Sequence, residues 1–346
     1  MQTLETTRTG EAAAAALQER LVDFNRRRLQ PRLPDEVPFQ EALEEELVMR
    51  RLEAAWLEAE RRAVAARAAE APSDPRGFLA WFEALRETGP GQGDPLFPFL
   101  AERATEAQMR FFLTQEVAGE AGFDDLVALT QLRMPRRPKL ELARNYWDEM
   151  GNGRAVGMHG PMLQRLVEEL GLDPAPGRVV WEALAVGNLL AGLAFDRRWA
   201  FHAVGALGAV ELTAPGRTAQ VERGLRRLGV SSEGRRYFAV HAVLDVRHAA
   251  AWNREVIAPL VEADPRVARA IAEGALMRLA AGARSFARYR HVLGVRACVS
   301  RSDRAPGRPR GRRAAAPPAR RSPSARSSAP GAGGRPAPSR TPTPAS

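Results

Sequence analysis

The stretch Tyr237–Ala251, YFAVHAVLDVRHAAA, carries two histidines and an aspartate at offsets of four and seven: His241, Asp245 and His248. On a helix turning about 100° per residue, these offsets fall within a sector of roughly 60°, so the three side chains share one stripe. Two imidazoles and a carboxylate make a donor set suited to iron or another first-row metal. One helix cannot close around a metal, so the stripe needs donors from other helices. The chain has five histidines, His159, His202, His241, His248 and His291. A lone helical histidine is more often a packing residue than a ligand, and the shared stripe sets His241 and His248 apart.

Two segments offer the missing donors. One is Glu116, which follows the apolar run FFLTQ. The other is NYWDEMGNGRAVGMHG, with Glu149 and His159. Ten residues of continuous helix would hold those two about 15 Å apart, far too long for donors that each approach a metal at about 2 Å. Gly151-Asn152-Gly153 breaks the helix and lets the backbone turn, so the pair can converge. Without that turn, Glu149 reads as a solvent-facing carboxylate at a helix end.

The elements that must position these residues are helices throughout. Residues 11–30 and 38–70 read as two amphipathic helices separated by Pro31, Pro34 and Pro38. A short helix follows at Phe78–Arg86, then one at Ala104–Gly119 with Thr105 as its N-cap, and another over residues 123–131. MPRRPK at 134–139 reads as a loop. Leu140–Met150 is helical, and the helical pattern resumes from Arg154 to Leu170. Trp181–Phe195 and Trp199–Leu212 are apolar helices whose glycines allow close approach. Pro215 is expected to begin a new helix, ending near Leu228. The ligand stripe lies on the next helix, and Trp252–Val261 and Pro265–Leu293 complete the folded part. No run of alternating strands and no internal repeat interrupts this pattern. The fold class is all-α, a multi-helix bundle.

Composition bounds the remaining possibilities. The net charge of +10 resembles a nucleic-acid signal until it is located: residues 299–346 hold eleven arginines against one aspartate, which is the whole excess. The body is neutral. Residues 297–346 are rich in Arg, Pro, Ala and Ser without apolar periodicity, and read as a disordered tail. Cys298 is the single cysteine, which excludes a disulfide framework and fits a reducing, cytoplasmic compartment. The N-terminus lacks the basic and apolar regions of a signal peptide. Glu182 and Asn188 interrupt the most apolar run, Val179–Phe195, so it reads as a buried core helix rather than a membrane span.

FFLTQE, LARNYWDEMGNG, MHGPML and HAVLDVRH, in that order, resemble the haem-oxygenase-like iron-containing redox enzymes, a family of di-iron oxidases and oxygenases. The similarity covers roughly residues 75–290. It implies a haem-oxygenase-like helical domain over residues 73–296, with residues 1–72 as extra N-terminal helices packing on it, and non-haem iron rather than haem. By the resemblance the metal ligands are Glu116, Glu149, His159, His241, Asp245 and His248. Glu120, one turn after Glu116, competes with it for the first position, and Glu211 is a candidate labile or supporting ligand. Three carboxylates and three imidazoles can hold two Fe(2+) ions with positions open for O₂, and three negative charges offset much of the metal charge. The implied activity is O₂-dependent oxidation or oxygenation of a small organic substrate, by N-oxygenation, desaturation or C–C cleavage. The implied partners are that small molecule and at most a second copy of the chain in a homodimer. No membrane is expected, and nucleic acid only through the basic tail. No histidine precedes His159, which argues against haem held by an early-helix histidine. A thiaminase-like relative would need a core cysteine, which Cys298 cannot supply. The competing class is a non-enzymatic helical scaffold with a basic arm for nucleic acid or acidic partners.

Overall fold

The structure is a computed structural model that describes residues 2–296 apart from 121 and 176. The helices are α1 (Gln2–Leu29), α2 (Phe39–Ala68), α3 (Pro75–Thr88), α4 (Leu96–Glu102), α5 (Glu106–Gly119), α6 (Phe123–Thr130) and α7 (Arg136–Glu149). They continue with α8 (His159–Leu170), α9 (Trp181–Phe195), α10 (Ala200–Arg227), α11 (Arg236–Ala251), α12 (Ala258–Ala263) and α13 (Val267–Leu293). No strand occurs among the described residues. The segment expected to be a disordered tail, 297–346, lies outside them.

α10 is the central element. It packs along α13 on one side and α11 on the other. Glycine sets the α10–α13 distance: a Cβ on Gly205 would overlap the Ile271 carbonyl, and one on Gly274 would overlap that of His202. These backbones meet directly, as the GALGA stretch at 205–209 suggests. α9 is buried without interruption from Glu182 to Ala194. Its one buried amide, Asn188, is satisfied by α1, bonding the Gln18 carbonyl at 2.9 Å and Asn25 Nδ2 at 2.8 Å. No helix among the described residues is long and apolar enough to cross a membrane.

Three expectations about element boundaries change. α7 begins at Arg136, inside the stretch expected to be a loop. Pro138 fits there because the first-turn N–H groups have no helical acceptor in any case. α10 continues through Pro215 instead of restarting at it. The proline removes one backbone bond, the one to the Glu211 carbonyl. Burial on both sides of it, from Ala200 to Ala214 and again at Val221, Gly224 and Leu225, holds the helix together across the gap. Finally, Trp252 does not start a separate helix: α11 passes through a π-helical turn at Trp252–Ile257 into α12.

Candidate metal centre

Four segments converge on the buried end of α11. α7 ends at Glu149, and three consecutive residues with positive φ follow: Gly151 (63°), Asn152 (54°) and Gly153 (78°). This left-handed run reverses the chain at little cost for glycine. Gly151 packs so closely on Gly157 that any Cβ would overlap its backbone, and this closes the loop. The reversal brings His159, at the start of α8, back onto Glu149: His159 Nδ1 lies 2.6 Å from Glu149 Oε2. Opposite them, α11 presents His241, Asp245 and His248, all buried, and α10 contributes buried Glu211.

Two groups of three donors have ligand atoms within 4.8 Å of one another: Glu149, His159 and His241, and Glu149, Glu211 and His248. Glu149 belongs to both. His159 and His241 meet edge to face with centroids 4.5 Å apart. Hydrogen bonds from outside the groups aim the donors. His241 Nδ1–H donates to the Tyr237 carbonyl at 2.7 Å, which leaves Nε2 its lone pair. His248 Nε2–H donates to Asp148 Oδ2 at 3.2 Å, which turns Nδ1 toward Glu211 Oε2 at 3.5 Å. Asn145 Nδ2 holds Glu211 Oε1 at 2.7 Å. Such outer partners fix tautomer and orientation in metal sites. Asn145 and Asp148 are absent from the sequence-based candidates. Their signal was present, since both lie within one turn of Glu149 on α7.

These residues fit a bound cation. His159 Nδ1, His248 Nδ1 and Asp245 Oδ1 are buried without a hydrogen-bond partner, a costly condition unless another species completes them. Burial, then the charge of Glu211, push Glu149 up to about 9. Burial, then Glu211, Glu149 and Glu120, push Asp245 up to about 10. Burial holds His159 and His241 down at about 4, so both are neutral with lone pairs to give. For His248 burial works the other way from its neighbours, and the adjacent Glu211 and Asp148 carboxylates carry it up to about 9, so it would give up a proton to a bound metal. Repelling carboxylates beside the neutral imidazoles of His159 and His241, all oxygen and nitrogen donors, suit a hard or borderline divalent metal such as iron.

Of the residues expected from sequence, Glu149, His159, His241 and His248 come together in the two groups. Asp245 lies beside them. Glu116 lies in neither group. It lines an adjoining cavity with Arg217 and Arg278. Burial raises its pKa, opposed by those two arginines and the Tyr289 hydroxyl. Glu120 stands between: burial raises it to about 8 against the Tyr237 hydroxyl, with Glu149 adding to the rise. The other histidines sit elsewhere, His202 bonded to Glu273 at 3.2 Å and His291 exposed on α13.

No curated protein sequence matches the chain. The profile of one family does, described as iron-containing redox enzymes, over residues 110–283. That span is half of the chain, and it includes all nine carboxylate and histidine side chains named around the centre. The chain belongs to the family of iron-containing redox enzymes.

Proposed function

We propose that the chain is an O₂-dependent non-haem di-iron oxidase or oxygenase acting on a small organic substrate. The observation that carries this reading is the place of Glu149, common to two donor groups that each add further buried donors. A carboxylate within reach of both groups could serve in holding either of two ions. His159 and His241 would serve one ion, Glu211 and His248 the other, with Asp245 and Glu120 adjoining. When bound, Fe(2+) would supply the electrons for reducing O₂. The side chains do the rest. Asn145 steadies Glu211, Asp148 keeps the proton of His248 on Nε2, and the Tyr237 carbonyl keeps that of His241 on Nδ1. Phe112, Leu113, Leu163 and Phe238 line the adjoining cavity and limit water around the donors.

The reading departs from the resemblance at one position. Glu116 is replaced as a metal donor by Glu211, because Glu116 faces two guanidinium groups and Glu211 faces His248. Anaerobic titration of the full chain with Fe(2+), followed by a pulse of O₂, tests the proposal. Uptake of about two ions per chain and their oxidation on exposure to O₂ are the expected results. A chain that binds no iron, or holds ferrous iron that O₂ leaves unchanged, overturns it.

A further inference from the structure

Full reduction of O₂ takes four electrons. A two-electron oxidation of the substrate supplies half of them, and ferrous iron would supply the other half. The ferric ions that remain must then be reduced from outside, since the single cysteine of the chain, Cys298, leaves it no thiolate set for an iron–sulfur cluster of its own. A one-electron donor has to dock near the centre to do this.

α7 offers a face for it. The helix turns Asn145 and Glu149 inward, with Asp148 half-buried at the margin. Its outer side carries Arg136, Leu140, Arg144 and Trp147, at offsets of four, eight and eleven that share one stripe. Leu140 is 58% exposed and Trp147 52%. Exposed Arg137 and Lys139 flank the stripe, and exposed Arg133 precedes it. Exposed Arg197 joins them, donating to the carbonyls of Leu129, Thr130 and Leu132. The neighbouring acids already have cations: Glu141 pairs with Arg144, Glu255 with Arg137 and Asp196 with Arg50, and Glu262 lies near Arg137. Asp124 and Asp148 lie toward the far end of α7, beside Glu149, and Asp125 adjoins Asp124. Arg133, Arg136, Lys139 and Arg197 form no ion pair among the described residues, so this face carries an excess of positive charge on a body that is neutral as a whole.

The face leads directly to the donors. Trp147 packs on Gly153 in the reversal after α7. Asp148, the next residue, accepts the His248 Nε2–H at 3.2 Å. From Leu140 to Glu149 the helix rises about 14 Å. Exposed tryptophan among arginines is typical of contacts between proteins, whereas nucleic-acid phosphate would engage the cations and leave Trp147 and Leu140 bare.

We infer that the outer face of α7 docks a small acidic iron–sulfur protein. Its carboxylates would meet Arg133, Arg136, Lys139 and Arg197, and its apolar surface would cover Leu140 and Trp147. Each encounter transfers one electron and no atoms: two reduced clusters become two oxidised clusters as two Fe(3+) return to Fe(2+). The inference rests on the proposed iron chemistry for where the electrons go. The docking itself needs no metal.

Lys139 is the single lysine of the chain, and a carbodiimide joins a lysine amine to a carboxylate held against it. The full, metal-free chain, mixed with an acidic plant-type ferredoxin at low salt and treated with a carbodiimide, should give a cross-linked peptide containing Lys139, lost at high salt. Lys139→Arg should remove that product and leave the affinity, measured by calorimetry, unchanged. Arg133→Glu combined with Arg136→Glu should weaken the affinity about tenfold or more, as charge reversal across an interface requires. In the iron-loaded, oxidised chain the same pair should slow anaerobic reduction by reduced ferredoxin to a similar degree. Three results overturn the inference. One is cross-linking confined to the N-terminal amine. Another is unchanged affinity in the double variant, which docking on the lysine-free segment 299–346 would give. The third is equal cross-linking of Lys139 to parvalbumin, an acidic protein without a redox group. Stronger protection of Lys139 from acetylation by duplex DNA or phosphatidylglycerol vesicles than by ferredoxin overturns it as well. Cross-linking of the unaltered chain needs no variant to fold. Docking through Lys139 by a chain that takes up no iron would leave the surface standing and remove the iron reading. Iron uptake and oxidation by O₂ without docking would do the reverse.

Discussion

Glu273 on α13 and Glu149 on α7 are both buried glutamates beside a histidine. Around Glu273 the charge is closed within the protein. His202 Nε2 lies 3.2 Å from one oxygen, Arg269 Nε lies 2.7 Å from the other, and Arg61 approaches at 3.4 Å. Burial alone would raise this carboxyl, but the bonds from His202 and Arg269 and the charge of Arg61 overcome it and bring the pKa down to about 2. Around Glu149 no arginine or lysine forms an ion pair with any of the five donors of the two groups among the described residues. Glu149 is pushed up to about 9. The two clusters share residue types and differ in whether a guanidinium completes them. A histidine–carboxylate pair in a helical core therefore points to a metal only where such a counter-ion is missing.

Substituting each glutamate in turn should separate the clusters most sharply. Glu149→Gln removes a donor from both groups, so bound iron, measured on the reconstituted chain, should fall from about two per chain to near none. Glu273→Gln should leave it unchanged. If Glu149→Gln kept its full iron content, the shared-donor reading would fail. His248→Ala and Asp245→Ala are expected to cost about one ion, with far-ultraviolet circular dichroism retained. Full occupancy in both variants would sink their assignment.

Stability should answer in the opposite order. Glu273→Ala leaves His202, Arg61 and Arg269 without their carboxylate and should cost about 3 kcal/mol in urea unfolding, the low end for a broken buried pair because both arginines reach solvent. Glu149→Gln in the metal-free chain relieves repulsion among acids and should cost nothing or stabilise. Equal losses in the two variants would erase the distinction drawn here. The smallest effect concerns pH. The folded-state pKa of Glu273 lies below its ordinary 4.5. Its contribution is therefore complete above that value and drains away as pH falls toward about 2. Unfolding midpoints followed down the acid limb should show this loss, and Glu273→Gln should flatten it.

Much of the Glu149 cluster was legible in sequence because its information is local. His241, Asp245 and His248 share a face through spacing alone, and Gly151-Asn152-Gly153 announces a reversal that joins Glu149 to His159. The choice among Glu116, Glu120 and Glu211 was not legible. Glu116 and Glu211 lie on helices and Glu120 caps α5, all with apolar neighbours, and the one that stands beside His248 depends on how α5 and α10 rotate against α11. Glu211 is held beside His248 by Asn145, and Glu116 stands near Arg217 and Arg278, partners 101 and 162 positions away in the chain. The all-helical fold followed from composition and period. The continuity of α10 through Pro215 did not, because local chemistry favours a break and only tertiary burial on both flanks overrules it.

The π-helical turn at Trp252–Ile257 has a consequence for the length of the chain. Each residue of an α-helix is rotated about 100° from the last, and a π turn takes in one extra residue, so the two ends of the joined α11–α12 segment are out of phase. Before the turn, the helix faces α8 and α10 with His241, Asp245 and His248. Val256 and Ile257 at the turn's end, and Leu260 and Val261 beyond it, enter the apolar core. Trp252 pins the junction, its Nε1–H donating to the Val204 carbonyl at 3.1 Å. Removing a single residue here would restore even pitch, but one end would then have to swing away from its partners. The donor stripe and the core beyond it thus hold each other to a fixed count of residues, a constraint that substitution of any one side chain would not reveal but a one-residue deletion would.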